Sequence, residues 1–265
     1  MPPKSRLPVV LSIAGSDSGG LAGIQADVKT LTAHRVHPIT AVTSVTAQNS
    51  RSIAGIHVVP RRMLVAQLES LCADFDIAAV KIGMLGSGAN IRAVSQWLRE
   101  HRIVNVVVDP VLISSSGGRL LSVSAVKWLR DELLPLSSIV TPNVPEAEAL
   151  LGRRLATAAE VRFAAADLLR LGSHGVLLKG GHFGGRASAV RDYFADAGGT
   201  IEIAHPRLPY SARGTGCTLA SAIAAGLAKR QPLRRAVQEA EAYLQARYRR
   251  ARPIGRGNAH ALAYD

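Results

Sequence analysis

The sequence predicts an α/β fold in which a mostly parallel sheet is covered by helices on both faces, and three observations carry that prediction. Short apolar runs alternate with amphipathic stretches from one end of the chain to the other. Glycine, asparagine and acidic residues collect just after the apolar runs: GSDSGG, QNS, GMLGSG, DPV, TPN and KGGH. No internal repeat, low-complexity linker or break in composition divides the chain, so residues 1–265 read as one domain. Strand-helix alternation implies right-handed crossovers between parallel strands and a ligand crevice at the strands' carboxyl ends.

Each element follows from its local pattern. PVVLSIAG (8–15) reads as a buried parallel strand, Gly23 to His34 as a helix, ITAVTSVTAQ (39–48) as a strand and Pro60 to Ala73 as a helix. AAVKIGM (78–84) is followed by a helix from Asn90 to Glu100, and NVVVDPV (105–111) by one from Ser122 to Leu133. SSIVTPN leads into a short helix beginning at Pro145, and GVLLKGG (175–181) is another strand. Ala187 to His205 reads as a hairpin turning at Ala197 to Gly199. Helices from Gly214 to Ala228 and Pro232 to Arg249 follow.

Composition excludes several classes. No uncharged run exceeds 15 residues, short of the roughly 20 apolar residues of a membrane-spanning helix, and MPPKSRLPVVLSIAGSD lacks a full signal-peptide pattern. With only Cys72 and Cys217, a disulfide scaffold and a four-cysteine zinc site are ruled out, and the cytoplasm is the expected compartment. Net charge is +13, from 26 Arg and 6 Lys against 19 acids, most of the basic residues standing singly. Only the stretch from Lys229 to Arg256, within a basic C-terminal helix and tail (229–265), is dense. Blocks of five like charges are absent and aromatics are 4%, so this stretch reads as a solvated helix face and no nucleic-acid or membrane partner is expected.

RGTGCTLASAIAAGLA (213–228) is the strongest chemical signal. Gly214 and Gly216 allow an unusual backbone path before a run of small helix-forming residues, so the amides of Thr215, Gly216 and Cys217 point out of a helix N-terminus. Such amides, with the helix dipole, suit a phosphoryl group in transfer. The competing reading is a glycine turn before a tightly packed helix. Cys217 in the first turn is expected to have a lowered pKa and to serve as base or nucleophile. Cys72, within LESLCADF, reads as a small core residue. Neither GxxxxGK[ST] nor GxGxxG is present, so nucleotide chemistry here needs another cradle.

Asp109, ending NVVVDP, and Asn143 with Glu146 in TPNVPEAE are polar residues at strand ends, where a hydrated Mg²⁺ and a triphosphate can sit. Each has a structural alternative, since a strand-terminal Asp often caps a helix and Glu146 can cap the one begun by Pro145. Lys179 ends an apolar strand before two glycines and offers a point charge to phosphate, or merely snorkels.

Together these segments resemble the hydroxymethylpyrimidine/phosphomethylpyrimidine kinases of thiamine biosynthesis, within the ribokinase-like superfamily. The resemblance rests on IAGSDSGGLAGIQADVKT (13–30), TAQNS (46–50), KIGML (81–85), DPV (109–111), TPNVPEAEALLG (141–152), LLKGGH (177–182) and GTGCTLASAIAA (214–225), which span almost the whole chain. AGSD with GIQAD, and cysteine where most of the superfamily has aspartate, mark this branch and its pyridoxal-kinase relatives. The resemblance implies a ribokinase-like three-layer α/β/α fold and ATP-dependent phosphorylation of 4-amino-5-hydroxymethyl-2-methylpyrimidine and then of its monophosphate, with ATP and Mg²⁺, in a homodimer.

It also implies that Gly15, Asp27, Gln48, Met84 and Val111 hold the pyrimidine. The amides of Gly214, Thr215, Gly216 and Cys217 would form the anion hole, with Cys217 assisting deprotonation of the attacking oxygen. Lys179 would contact ATP phosphates, and Asp109, Asn143 and Glu146 would organise Mg²⁺, Asp109 and Glu146 as metal ligands. Three departures stand out: Leu21 where the family's turn usually has glycine, Arg213 where histidine is common, and a divergent tail, IGRGNAHALAYD. Leu21 would narrow or cover the pyrimidine pocket, and Arg213 would either contact phosphate or sit in solvent. The chain stops where bifunctional relatives continue, so no fused second activity is expected. The rivals are a pyridoxal/pyridoxine kinase of the same fold and, in another class, a non-catalytic ligand- or nucleic-acid-binding protein.

Overall fold

The structure, a computed structural model, describes residues 7–112, 122–182 and 188–264. In chain order the elements are β1 (Val9–Asp17), α1 (Gly23–Ala33), β2 (His37–Gln48), β3 (Ile53–Val58), α2 (Arg61–Cys72), β4 (Ile77–Ile82), α3 (Gly88–Glu100) and β5 (Val106–Val108). They continue with α4 (Val123–Trp128), β6 (Ile139–Val140), α5 (Val144–Leu151), α6 (Ala158–Leu169), β7 (Gly175–Leu178), β8 (Ala189–Asp196), β9 (Gly199–Pro206), β10 (Ala212–Arg213), α7 (Thr215–Ala228), α8 (Leu233–Arg249), β11 (Arg252–Pro253) and β12 (His260–Ala261).

One sheet has the order β3-β2-β1-β4-β5-β6-β7-β8-β9. From β2 to β7 every pairing is parallel. The edges are antiparallel, with β3 on β2 and the β8–β9 hairpin on β7. Strand alternation sends Leu11, Ile13, Val80, Ile82, Val106, Val108, Val140, Val176 and Leu178 into the core under α2–α6. Val10, Ala79, Val107, Ile139 and Leu177 enter the opposite core under α1, α7 and α8. The result is the expected three-layer arrangement. Strand order reverses between β1 and β4, and a crevice outside the carboxyl ends of the strands is the consequence.

Boundaries shift where backbone chemistry interrupts a pattern. The predicted strand 105–111 stops at Val108, because Asp109–Pro110 offers no proline amide to the ladder and Val111 turns back to the Asp109 carbonyl at 2.8 Å. The predicted helix 122–133 is α4 followed by a wide turn over Leu129–Leu133. The hairpin turns at the residues expected of it, while Ala187, its predicted start, lies outside the described residues.

Three features have no counterpart in the sequence reading. β3 is a largely exposed edge strand interrupted by Gly55, so its alternation is weak. α6 carries a legible start signal, a capping box in which Thr157 and Glu160 satisfy each other's amides. β10, β11 and β12 form a small three-stranded sheet of two-residue strands, too short to register as periodicity. No helix among the described residues is long and apolar enough to cross a membrane.

Candidate active site

The carboxyl ends of β1, β4, β5, β6 and β7 deliver Asp17, Gly83–Met84, Asp109, Thr141–Asn143 and Lys179 to one edge of the sheet. Directly after β1 the chain must reverse into α1. Asp17 organises that reversal, its carboxylate accepting from the amides of Gly19 (2.8 Å), Leu21 (3.1 Å) and Ala22 (2.8 Å). Leu21 is buried, and its carbonyl packs directly against Gly214.

That contact explains Gly214. Its φ is +77°, and a Cβ there would lie 2.1 Å from the Leu21 carbonyl oxygen, so only glycine lets the two segments meet. Gly214 is the N-cap of α7, and the first intrahelical bond runs from the Thr218 amide to its carbonyl at 2.8 Å. The amides of Thr215, Gly216 and Cys217 therefore precede the helical ladder and remain as donors at the positive end of the dipole.

Beneath this terminus lies the charged centre. Lys179 Nζ donates to Asp109 Oδ1 at 3.0 Å, and Thr141 Oγ1 donates to the same oxygen at 3.2 Å. A Cβ on Gly216 would sit 3.1 Å from both Asp109 Oδ2 and Lys179 Nζ, so the α7 backbone rests against this ion pair. Burial disfavours the Lys179 ammonium, but Asp109 and then Glu146 overcome it and raise its pKa.

Asn143 and Glu146 form a capping box at the start of α5: the Asn143 amide donates to Glu146 Oε2 at 2.8 Å, and the Glu146 amide to Asn143 Oδ1 at 2.9 Å. The capping role left open by the sequence is real, and it coexists with a place in the charged centre. Burial, opposed by Lys179 and reinforced by Asp109, pushes Glu146 up to about 7. Two buried carboxylates facing one ammonium leave negative charge uncompensated. An all-oxygen donor set of this kind fits Mg²⁺, which keeps most of its waters.

Two expectations need correction. Asp27 does not line the crevice. Its side chain is fully buried and accepts from Ser12 Oγ (2.6 Å), Lys81 Nζ (2.8 Å) and Ser221 Oγ (2.9 Å), which leaves it no exposed atom for a pyrimidine. It ties α1 to β1, β4 and α7 under the site. The Cys217 thiol is not acidified: burial pushes it up to about 11 against the pull of Lys81, with Asp27 and Asp109 adding to the rise and a Gly23 amide opposing it. Desolvation and two nearby carboxylates outweigh the Lys81 ammonium and the Gly23 amide here.

Arg213 is also not in solvent. It is buried, and its guanidinium reaches the Arg51 carbonyl at 3.4 Å. Cys72 packs beside the core under α2, as expected, with Sγ 3.3 Å from His101 Nδ1.

The other predicted pyrimidine contacts lie around the same edge. A Cβ on Gly15 would meet Ser44 Oγ at 2.7 Å and Met84 Sδ at 3.5 Å, so Gly15 and Met84 adjoin. Gln48 is pinned through its backbone: its amide donates to Ser18 Oγ at 2.8 Å, which in turn donates to its carbonyl at 2.7 Å, leaving the side-chain amide to project. Val111 follows the turn after Asp109.

Sequence reasoning missed Lys81, the partner of Asp27. The signal was present, since a lone lysine inside the apolar run AAVKIGM must find an anion when buried. It also missed Ser44, whose buried hydroxyl beside Gly15 has no hydrogen-bond partner among the described residues. A serine within a strand carries no signal of that kind.

Comparison with known proteins gives concordant results. The family model described as phosphomethylpyrimidine kinase matches residues 17–261. The thiamine biosynthesis bifunctional protein of Geobacter sulfurreducens is 45% identical over 260 residues, 97% of this chain and 53% of that protein, so the chain spans about half of it. The hydroxymethylpyrimidine/phosphomethylpyrimidine kinase of Rhizobium meliloti is 43% identical over 95% of this chain and 96% of its own. Among solved structures, the phosphomethylpyrimidine kinase of Clostridium difficile superposes with TM-score 0.79 at 35% identity, covering 90% of this chain and 98% of that one. The Staphylococcus aureus pyridoxal kinase in complex with AMP-PCP and pyridoxal gives 0.88 at 26% identity, covering 98% and 94%.

Proposed function

The chain belongs to the phosphomethylpyrimidine kinase family, and from that premise we propose that it phosphorylates the alcohol of 4-amino-5-hydroxymethyl-2-methylpyrimidine with ATP and then phosphorylates the monophosphate, as a step towards thiamine diphosphate. The observation that carries the reading is the α7 N-terminus resting, through Gly216, on the ion pair of buried Asp109 and half-buried Lys179. Free amides, a dipole and an ammonium converge where a transferring phosphoryl would gather negative charge.

In this reading the amides of residues 214–217 bind the phosphoryl oxygens, Lys179 holds the ATP phosphates in register, and Asp109, Asn143 and Glu146 present oxygen donors to Mg²⁺. The metal, when bound, neutralises phosphate charge and draws the triphosphate into line. Gly15, Gln48, Met84 and Val111 wall the pyrimidine, the Gln48 amide pairing with the ring's amine and nitrogen acceptors. Asp27 and Lys81 act as positioning residues beneath them. Cys217, a thiol in the resting enzyme, accepts a hydrogen bond at sulfur from the hydroxymethyl O–H; as the alcohol oxygen bonds to the γ-phosphorus and the bond to the ADP leaving oxygen breaks, the alcohol's proton passes to sulfur while the S–H proton passes to an oxygen of the transferred phosphoryl group. The reading includes a homodimer in the cytoplasm, checked for assembly by light scattering.

The test is an ATP-consumption assay offering hydroxymethylpyrimidine, its phosphate and pyridoxal side by side. The pyrimidine and its phosphate are expected to give the higher kcat/KM. Preference for pyridoxal would move the chain to the neighbouring activity, and no turnover of any of the three would overturn the kinase reading.

A further inference from the structure

Away from the crevice, the hairpin and the last long helix bring three metal-ligating side chains together. β8 and β9 are antiparallel, with Val190 opposite His205 and Asp192 opposite Ile203, so Asp192 and His205 are diagonal neighbours on one face. That face is covered by α8, whose buried stripe is Ala236, Val237, Ala240, Glu241 and Leu244. Glu241 occupies a position where the helical pattern calls for an apolar residue.

The Glu241 side chain is 4% exposed, and neither of its carboxylate oxygens has a hydrogen-bond partner among the described residues. A buried carboxylate without donors is a costly arrangement, and native structures rarely leave one uncompensated. It is aimed at a site that already holds two more ligands. One ligand atom from each of Asp192, His205 and Glu241 lies within 4.8 Å of the others. His205 Nε2 and Asp192 Oδ2 are hydrogen-bonded to each other at 3.1 Å in the metal-free chain, and that spacing is already close to the roughly 3.3 Å between two ligands on a tetrahedral zinc ion. Asp192 is oriented from behind, its other oxygen accepting from the Gly180 amide at 2.6 Å, the kind of outer bond that aims a metal-binding carboxylate.

We propose that Asp192, His205 and Glu241 form a buried site for a divalent transition metal of the Zn²⁺ class, distinct from the Mg²⁺-nucleotide site. One imidazole nitrogen with two carboxylate oxygens is a three-ligand zinc set, and the imidazole argues against Mg²⁺. The ion supplies the counter-charge that the buried Glu241 carboxylate, with no hydrogen-bond donor among the described residues, otherwise lacks. It also joins β8, β9 and α8 behind Gly180, the residue that follows Lys179.

The test uses the full chain, stripped with a chelator and titrated with Zn²⁺ in the absence of nucleotide. Metal analysis and calorimetry are expected to give one equivalent per chain. At about a hundredfold excess over Kd the melting temperature should rise by roughly 5–10 °C. Glu241→Gln and His205→Gln should each weaken binding by at least the roughly 10- to 100-fold seen for lost outer ligand partners. Should neither variant fold, Co²⁺ in the wild-type chain decides, with visible ligand-field bands and no thiolate charge-transfer band expected. Absence of stoichiometric zinc, binding unchanged in both variants, or a thiolate band implicating Cys72 or Cys217 would overturn the proposal. So would a melting temperature raised by Glu241→Gln in a chain whose wild type binds no metal, because Glu241 would then be a buried acid kept protonated.

Discussion

Two glycines separated only by Thr215 should fail in opposite ways when replaced by alanine. At Gly214, φ is +77° and the new Cβ would lie 2.1 Å from the Leu21 carbonyl oxygen. The left-handed backbone alone costs an alanine about 1–2 kcal/mol, and backbone cannot swing aside as a side chain does. Gly214→Ala should therefore lose more than about 2 kcal/mol, a fall in melting temperature of roughly 4–8 °C or more for a chain of this size. At Gly216, inside the first turn of α7, alanine suits the helix and contributes up to about 1 kcal/mol. Its Cβ, however, would come 3.1 Å from both Asp109 Oδ2 and Lys179 Nζ, so the ion pair must yield by a few tenths of an ångström. Gly216→Ala should melt no lower than wild type yet lose about 10- to 100-fold in kcat/KM for ATP, since small misplacements of phosphate-holding groups are expensive in rate. Calorimetry and steady-state kinetics on both variants make the comparison. Gly216→Ala with full activity would refute the placement of the phosphoryl site on this ion pair, and Gly214→Ala with unchanged melting would refute the contact with Leu21.

The buried Asp27–Lys81 pair should be intolerant of half-removal: Asp27→Ala strands an ammonium and is expected to cost about 3–5 kcal/mol by urea denaturation, whereas Asp27→Leu with Lys81→Met should recover much of it. Glu146 is raised to about 7 from its ordinary 4.5, so the folded chain binds that proton more tightly than the unfolded one; the contribution of Glu146 to metal-free stability is full below pH 4.5 and is lost as pH rises through about 7, so wild type should lose stability relative to Glu146→Gln, which preserves a capping box, across that window in pH-dependent unfolding. Cys217→Ala should leave melting nearly unchanged and lower kcat by about 10²–10⁴, while iodoacetamide should modify wild-type Cys217 slowly at neutral pH, fast alkylation there contradicting the raised pKa. Gln48→Ala should raise KM for the pyrimidine by the equivalent of roughly 1–3 kcal/mol and leave KM for ATP nearly unchanged; equal effects on both would remove Gln48 from the pyrimidine wall.

Features written in local chemistry were legible along the chain. Buried parallel strands are apolar runs, and the residues that follow them must sit at the crevice, so Asp109, Asn143, Glu146 and Lys179 could be placed there without coordinates, and the structure brings them to one charged centre. The GTGC turn was legible for the same reason: two glycines before small helix-forming residues describe a helix start with free amides. Thr157 and Glu160 carried an equally local signal for α6.

Tertiary structure alone decided the properties that depend on neighbours distant in sequence. Asp27 looked like a polar ligand in a motif, but Ser12, Lys81 and Ser221, as far as 194 residues away, take all its bonds and withdraw it from the crevice. Cys217 sits at a helix terminus that would acidify an open thiol, yet the surrounding protein and the carboxylates of Asp27 and Asp109 raise its pKa, because desolvation depends on what is packed around a group. Glu241 reads in sequence as one more charge on a basic helix. Only the packing of α8 on the β8–β9 hairpin buries it beside Asp192 and His205, with no hydrogen-bond donor for its carboxylate among the described residues.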